Sequence, residues 1–549
     1  MKSDGRMSDT TWAKGERLPL SGAYRTRASV PIDHLSDTLF ITSLVIVFLA
    51  LGLVGILHHE MWRDELQAWL IARDSSSLID LFHNLRYEKH PGLWHLCLYL
   101  LSRFTSHPLA MQLFHLAIAT GVVFLFVKFS PFSKLQKALF PFGYFPFFEY
   151  AVISRSYALG VLLIFSFCAL YVKSTKNYLA LSGVLFLLSN TSLYGLIIAV
   201  ALSFALLLQA VTDKSSVRLS GQRLKLGGGL LMVAIGVGVS LVQIIPPSSG
   251  AVAAERDVVT GAFDRGLSLT PDNRNQAIRA LKTIWSSYVP VPQLSTNRFW
   301  NTNFLSSSDD PIPRRAGIVF SLGLIALVLL LFAHRPPIFF AYLTGTGAIL
   351  LFISAVNFGA LRHHGHLFIL FIACLWISAS EPPSNWLGTK INNAGGMLRN
   401  NQSRFVTTLL CFHLAAGVFA FSVDFFKPFS ASKAAAEFIE QHQLSNMLIV
   451  SRPDFISTPL SVYLGRKIYR LESDDAGTFI VWTNKRRSLK LETAFDKIST
   501  IVETEKSDVL FVSNVAVKDI RASLRVSELA TFTEAIVSDE TYYLYLVHK

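Results

Sequence analysis

Long apolar runs recur over the first 427 residues of the chain, and short polar or basic stretches separate them. Most of these runs approach the twenty or so residues that a helix needs to cross the hydrocarbon core of a bilayer. Only 16% of the residues are charged, against about a quarter in an ordinary soluble protein. The pattern predicts a mainly α-helical, polytopic membrane bundle of about eleven crossings.

The basic residues of the chain lie mainly in the predicted loops. The net charge is +13, but the basic residues cluster between apolar runs, as at 128–137 and 213–225, and do not alternate with aromatic residues. Such clusters mark cytosolic loops, and no nucleic-acid partner is expected. We therefore predict a multi-pass protein of the cytoplasmic (inner) membrane in which Asp64 and Glu65 emerge on the extracytoplasmic face.

The composition changes near residue 428, where short strand-like apolar runs begin to alternate with helical stretches, as expected of an α/β domain. An odd number of crossings separates this domain from the cytosolic N-terminal tail, so we predict that it is extracytoplasmic. The predicted organisation is a disordered cytosolic tail at 1–36, a transmembrane domain at 37–427 with external loops at 59–107 and 246–314, and a soluble extracytoplasmic α/β domain at 428–549.

The most polar part of the N-terminal third is the stretch 61–91, which follows the first apolar run. Asp64 and Glu65 are adjacent carboxylates where that helix leaves the bilayer, and Trp62 and Trp69 are rings of the kind found at headgroup level. Apolar residues at rough helical spacing predict that the stretch lies along the membrane surface. Adjacent helical residues point about 100° apart, so the two carboxylates are not expected to face one substrate atom.

Three features of this stretch carry a family resemblance: Asp64-Glu65 after the first membrane helix, the run Gln67-Ala68-Trp69-Leu70-Ile71-Ala72-Arg73-Asp74, and His90-Pro91 before the next apolar run. Together they resemble the GT-C superfamily, polytopic glycosyltransferases that include protein O-mannosyltransferases and bacterial lipid A aminoarabinose transferases. The resemblance implies inverting transfer of a hexosyl or pentosyl group from a polyprenyl-phosphate donor, in the membrane lipid, to a glycan, lipid or protein acceptor of the cell envelope. It also implies that Asp64 is the catalytic base, with Glu65 as the alternative.

Further polar residues fall on the same predicted face, and charged groups beside an apolar bundle are costly enough to suggest function. A transfer from a lipid phosphate needs a carboxylate base and cations for the departing phosphate, a task for which the planar guanidinium group of arginine is well suited. The predicted substrate-binding residues are His90, Glu149, Arg155, Tyr157, Arg362, His363, His364 and His366. We expect the last four to lie in an external turn, and the apolar run 135–148 to form one crossing helix.

Simpler explanations remain for each cluster. Asp64 and Glu65 can serve as a solvated helix start, because acids are favoured at the N-terminal end of the helix dipole. Arg155 can be an interfacial anchor. The histidines at 363–366 lack the spacing of two ligands on one helical face, so no metal or other cofactor is predicted, with a divalent cation as the alternative. A non-catalytic glycolipid transporter or flippase, or an envelope-complex scaffold, is the alternative function.

Overall fold

The computed structural model describes residues 34–173, 176–212, 220–245, 271–294, 299–308, 310–482, 486–517 and 525–549. Three predicted segments lie wholly or partly outside the described residues. They are nearly all of the tail, the part of the basic loop at 213–219, and the first part of the second external loop, at 246–270. The helices up to the C-terminal domain are α1 His34–His58, α2 Arg63–Asp74, α3 Leu78–Asn84, α4 Leu93–Ser102, α5 Leu109–Phe129, α6 Lys134–Leu139, α7 Tyr157–Tyr171, α8 Tyr178–Ser189, α9 Leu193–Thr212, α10 Ser220–Ile244, α11 Pro271–Tyr288, α12 Pro311–Phe332, α13 Pro336–Ala355, α14 Leu361–Ser378 and α15 Thr389–Phe426.

Eight helices of the described ranges, namely α1, α5, α9, α10 and α12 to α15, are long and apolar enough to cross a membrane. Three further apolar helices are shorter: α4, α7 and α8. The predicted fold class, a polytopic helical membrane bundle with a small C-terminal α/β domain, is confirmed. The number of crossings stays a prediction; α4, at about 1.5 Å per residue, is roughly half the thickness of the hydrocarbon core.

The expectation of one continuous helix over 135–148 is wrong. This part of the chain is broken into α6, a 3-10 turn at Phe140–Phe142 and a π-helix at Tyr144–Val152. Pro141 and Pro146 lie in the break and cannot donate a backbone hydrogen bond, which prevents a regular helix from running through it. All nine residues of the π-helix are buried, so the irregular backbone is sheltered by protein.

The expected external turn at residues 362–366 is also wrong, because α14 already begins at Leu361. The N–H of Ala360 donates to Nδ1 of His363 at 2.8 Å, which satisfies a backbone group beside the start of the helix. Arg362 and the histidines therefore occupy the first two turns of a helix whose remaining residues are almost entirely buried. Because they sit on a helix, His363 and His366 share one face at i, i+3 spacing, whereas His364 is directed elsewhere.

Segments predicted to be cytosolic meet at the end of the bundle opposite Asp64. Helix α7 begins near Arg155 and ends at Tyr171, whose hydroxyl donates to Glu381 at 2.7 Å. Arg335, in the turn between α12 and α13, donates to the carbonyl of Glu381 at 2.9 Å. Three loops that the charge pattern assigns to one side of the membrane thus lie together.

The C-terminal domain is a mixed six-stranded sheet in the order β3-β2-β1-β4-β6-β5, in which β1 is parallel to both β2 and β4 and the other pairs are antiparallel. The elements are α16 Ser432–Gln441, β1 Leu448–Arg452, α17 Ser457–Tyr463, β2 Ile468–Arg470, β3 Asp475–Gly477, α18 Leu491–Glu505, β4 Val509–Ser513, β5 Val526–Phe532 and β6 Tyr542–Val547.

Helices cover both faces of this sheet. Along β4, Leu510 and Val512 pack with α16 and α17, whereas Val509 and Phe511 pack with α18. Successive residues of a strand point to opposite faces, so a strand covered on both faces is a nearly continuous apolar run, as β4 is from Val509 to Val512. This explains why the strand could be recognised in the sequence as an uninterrupted apolar run.

Candidate active site

The two carboxylates at the start of α2 have opposite surroundings. Glu65 is fully buried, and its side chain accepts hydrogen bonds from the backbone N–H of Ser154 at 2.6 Å and from Nε2 of His59 at 3.0 Å. The side chain of Asp64 is 29% exposed and faces a pocket. The divergence expected from helical geometry is present, and only Asp64 is accessible from that pocket.

Asp64 lies between guanidinium groups that come from distant parts of the chain. Its Oδ2 atom is 3.1 Å from Nη1 of Arg155, just before α7, and 3.2 Å from Nη2 of Arg362, on α14. The other oxygen, Oδ1, is 3.9 Å from Nε of Arg63. Burial alone would raise the pKa of Asp64, but the surrounding guanidinium groups outweigh it and hold the pKa below its ordinary value.

The pocket beside Asp64 has a volume of about 200 Å³ and lies between the bundle and the C-terminal domain. The bundle contributes Asp64, Glu88, His90 and Arg155 to its wall. The C-terminal domain closes it with the side chains of Phe455, Thr458, Ile480 and Trp482. A carboxylate, a histidine and a guanidinium group thus face one cavity at the edge of the membrane helices.

Glu88 and His90 lie on the chain segment between α3 and α4, and burial shifts the pKa of each side chain in the direction that favours its neutral form. Burial raises the pKa of Glu88 to about 7, although Gln67 donates a hydrogen bond to its Oε1 at 2.9 Å. Burial, together with the charge of Arg155, lowers the pKa of His90 to about 4. His90 can therefore serve as a neutral hydrogen-bonding group, and Glu88 can exchange a proton in the physiological range.

A buried network holds Glu65 in place. His59 donates to Asp424 of α15 at 2.9 Å and contacts Glu65 on its other ring nitrogen. Burial alone would lower the pKa of His59, but the two carboxylates outweigh it and raise the pKa to about 10. Since Glu65 also binds the backbone of Ser154, the network fixes the segment that presents Arg155 to Asp64.

Glu149 and Tyr157 do not line the pocket. Glu149 is fully buried and accepts hydrogen bonds from Tyr144 at 2.9 Å and from the indole of Trp300 at 3.1 Å. The same indole lies 5.3 Å from the guanidinium carbon of Arg362, so Glu149 supports that arginine through Trp300. The ring of Tyr157 lies 5.9 Å from the guanidinium carbon of Arg155.

The three histidines of α14 contact an aromatic ring or a backbone carbonyl, and none of them is among the lining residues of the Asp64 pocket. His363 stacks on Tyr194 with ring centroids 5.5 Å apart, and His366 packs against the same tyrosine at 5.0 Å. His364 donates to the carbonyl of Phe358 at 2.8 Å and lines a second cavity. Of the four substrate-binding residues predicted at 362–366, only Arg362 contacts Asp64.

The residues that sequence reasoning missed are mostly those of the C-terminal domain. The amide of Gln67 exchanges two hydrogen bonds with the backbone of Ile480, at 2.6 and 3.0 Å, and so joins α2 to the far domain. Nothing in the local sequence around Phe455 or Trp482 points to a pocket at the membrane surface. Glu88 carried a detectable signal, because it is a carboxylate two residues from His90 in an otherwise apolar region.

No protein-family model matches this chain, and no curated protein matches it in sequence. Among solved structures, it is similar to the crystal structure of ArnT from Cupriavidus metallidurans bound to undecaprenyl phosphate, with 11% identity, a TM-score of 0.46 and coverage of 92% of this chain and 98% of that chain. The apo form of the same ArnT matches with 12% identity, a TM-score of 0.44 and the same coverage.

Proposed function

We propose that the protein is an inverting glycosyltransferase of the cytoplasmic membrane, which moves one sugar from a polyprenyl-phosphate donor to a glycan, lipid or protein acceptor on the outer face. The observation that carries the proposal is the Asp64 carboxylate held between Arg155 and Arg362 in a pocket beside the membrane helices. The GT-C resemblance of the stretch around Asp64 points to the same reaction.

The chemistry assigns separate tasks to these groups. The acceptor hydroxyl attacks the anomeric carbon, the bond from that carbon to the phosphate oxygen breaks, and the polyprenyl phosphate leaves with the electron pair. The hydroxyl proton passes to Asp64, and the arginines neutralise the charge that develops on the phosphate. Carboxylate base catalysis contributes about 10² to 10⁴ in rate, and preorganised cations stabilise the leaving group.

The geometry couples binding of the donor phosphate to the basicity of Asp64. Both arginines contact Oδ2 of Asp64, whereas Oδ1 makes no hydrogen bond with the part of the chain that the structure describes. A donor phosphate competes for the same guanidinium groups. When they turn to the phosphate, the pKa of Asp64 rises towards its ordinary value, and Oδ1 becomes a better proton acceptor at the moment the donor is in place.

The test uses the purified full chain in lipid with a panel of radiolabelled polyprenyl-phosphate sugars and a membrane extract as acceptor. We expect Asp64→Asn to reduce release of sugar from the lipid by about 10² or more. Asp80→Asn, in the first turn of α3 and outside the lining of the pocket, is the matched control and keeps full release.

Equal release by wild type and Asp64→Asn would reject Asp64 as the base and direct attention to Glu65 and Glu88. No release from any donor, with labelled lipid still bound, would reject the transferase and favour a glycolipid transporter or a scaffold.

A further inference from the structure

A second cavity, of about 440 Å³, lies beside the start of α14 and shares no lining residue with the Asp64 pocket. Its walls come from α11, from the external segment 299–308 and from the turn at Phe358 to Leu361. The two cavities flank the same helical turn, because Arg362 reaches Asp64 while His364 lines the second cavity. The proposed transfer reaction has no use for this second cavity.

The charged residues that line this cavity are all basic. Arg279 and Lys282 of α11 contribute their side chains, and no aspartate or glutamate is among the described lining residues. Burial lowers the pKa of Lys282, and the neighbouring charges of Arg314 and Arg279 lower it further. Within the described ranges, neither Arg279 nor Lys282 forms an ion pair with a carboxylate; Lys282 reaches only the carbonyl of Ser306, at 3.4 Å. Like charges are thus gathered around a cavity that has no compensating carboxylate among its described lining residues.

The polar wall beside these cations is preorganised. Asn303 donates to the carbonyl of Val289 at 2.8 Å and accepts from the backbone of Leu305 and Ser306 at 3.2 Å, which fixes the external segment against the end of α11. The hydroxyl of Ser306 meets that of Ser286 at 3.0 Å. Hydroxyl groups and two cations on a fixed frame are a donor set suited to the oxygens of a phosphate group.

The position of the cavity points to a lipid as the source of that phosphate. A smaller cavity of about 180 Å³ adjoins it, shares Arg279 and Phe358 with it, and is lined by the residues that end the membrane helix α13, from Ile353 onward. The guanidinium carbon of Arg279 lies 4.5 Å from the ring centre of Phe358. The basic group therefore stands where α13 ends and α14 begins, at the level of lipid headgroups.

We propose that this second cavity binds the phosphate of an anionic lipid headgroup, with Arg279 and Lys282 as the ligands of the phosphate oxygens. The site is separate from the Asp64 pocket, and its occupation does not depend on the transfer reaction. The shared chemistry is a phosphate group; its source is a membrane lipid and not phosphate in solution.

The experiment measures binding to the purified full chain in detergent by native mass spectrometry, with melting temperatures as a second readout. The probes are dioleoylphosphatidic acid, dioleoylphosphatidylcholine and inorganic phosphate. We expect phosphatidic acid to bind the wild-type protein more tightly than the other two, and Arg279→Gln and Lys282→Gln each to weaken it about tenfold, as for loss of one charge-assisted contact. Arg274→Gln removes the same charge from the same helix outside the cavity and retains binding.

Equal binding of phosphatidic acid in all four proteins would overturn the assignment of the ligands. Equal protection of the wild-type protein by inorganic phosphate and by phosphatidic acid would overturn the lipid source. Arg279→Gln and Lys282→Gln change side chains that are at least partly exposed. An unchanged melting temperature without ligand shows that both variants fold.

Discussion

At the scale of single residues, the site depends on two neighbouring carboxylates with different tasks. Asp64 faces the pocket and its arginines, whereas Glu65 is fully buried and binds the backbone of Ser154. A buried carboxylate is tolerated only where it is paired and hydrogen-bonded, and His59 supplies the partner. Glu65 is therefore a positioning residue in the proposed mechanism, and its influence on transfer runs through Arg155.

The first residue-scale prediction concerns His59. Replacement by leucine keeps the volume but leaves Glu65 and Asp424 buried without their shared cation. We expect a loss of about 3–5 kcal/mol in the free energy of unfolding, read as a lower melting temperature in detergent. His58→Leu, at the adjacent exposed position, is the control and should change the melting temperature little. Similar melting temperatures for wild type and His59→Leu would contradict a charged network.

The second residue-scale prediction concerns Glu88, whose pKa is raised to about 7 by burial. Because the folded state holds this proton more tightly than the unfolded state, its contribution to stability is complete below about pH 4.5 and is lost as the pH rises through 7. Glu88→Gln stays neutral throughout. We therefore expect the melting temperature of the wild-type protein to fall relative to that of Glu88→Gln between pH 4.5 and 7.

The measurement is a series of melting curves of both proteins over that pH range, with Glu440→Gln as a control for removal of an exposed carboxylate. Parallel curves for wild type and Glu88→Gln would show that folding does not raise the pKa of Glu88.

At the scale of elements, the broken helical segment before α7 sets the position of Arg155. Its 3-10 turn and π-helix pack against α15, where Gly417 allows the two backbones to approach closely. A Cβ atom at residue 417 would lie 2.6 Å from the carbonyl oxygen of Phe142 and 3.0 Å from the backbone nitrogen of Tyr144. Backbone atoms cannot move aside as the end of a flexible side chain can, so this contact requires glycine.

The element-scale prediction follows from this contact. Gly417→Ala should destabilise the protein by about 1–3 kcal/mol, as overpacking of a close interface does. It should also reduce transfer, because the displaced segment carries Arg155. Gly347→Ala, on α13, has no atom within 4 Å of the added Cβ and serves as the matched helical control. The melting temperature measures the loss of stability, and the transfer rate measures the loss of activity. Equal effects of Gly417→Ala and Gly347→Ala would refute the close approach of the two backbones at residue 417.

At the scale of the whole molecule, the C-terminal domain is part of the pocket and not an appendage. Arg63, at the start of α2, is 2.8 Å from Asp539, and its backbone N–H donates to Glu540 at 2.9 Å. Burial raises the pKa of Glu540 to about 7, which the positive charge of Arg63 opposes. With the Gln67–Ile480 pair, these contacts hold the domain over the cavity, so access to the cavity depends on how the domain docks.

The whole-molecule prediction uses the double substitution Asp539→Asn, Glu540→Gln, which weakens docking without replacing a residue that lines the pocket. We expect faster hydrogen exchange in α2 and in residues 478–482, and a higher KM for the acceptor with a smaller change in kcat. The control is Glu503→Gln, Glu505→Gln on the exposed surface of α18. Unchanged exchange at 478–482 would show that the domain is held by other contacts.

Properties that depend on local composition and spacing could be predicted from the order of the amino acids. Hydropathy indicates the membrane helices, because each run must meet the bilayer thickness on its own. The uninterrupted apolar runs indicate strands such as β4, and the helical period separates Asp64 from Glu65. Asp64, Arg155 and His90 were predicted as site residues, and the structure places all three at one pocket; their catalytic roles stay predictions.

Contacts between residues that are distant in the chain could not be predicted and became visible in the folded molecule. Arg362 is 298 positions from Asp64, and Ile480 is 413 positions from Gln67. Such pairings depend on how helices cross and how the C-terminal domain docks, and no local pattern encodes them. The same holds for the histidines of α14, which are adjacent in sequence but are turned by the helix towards an aromatic cluster and a second cavity. The direction of a side chain on a packed helix depends on which elements pack against that helix. The sequence alone does not show which elements those are.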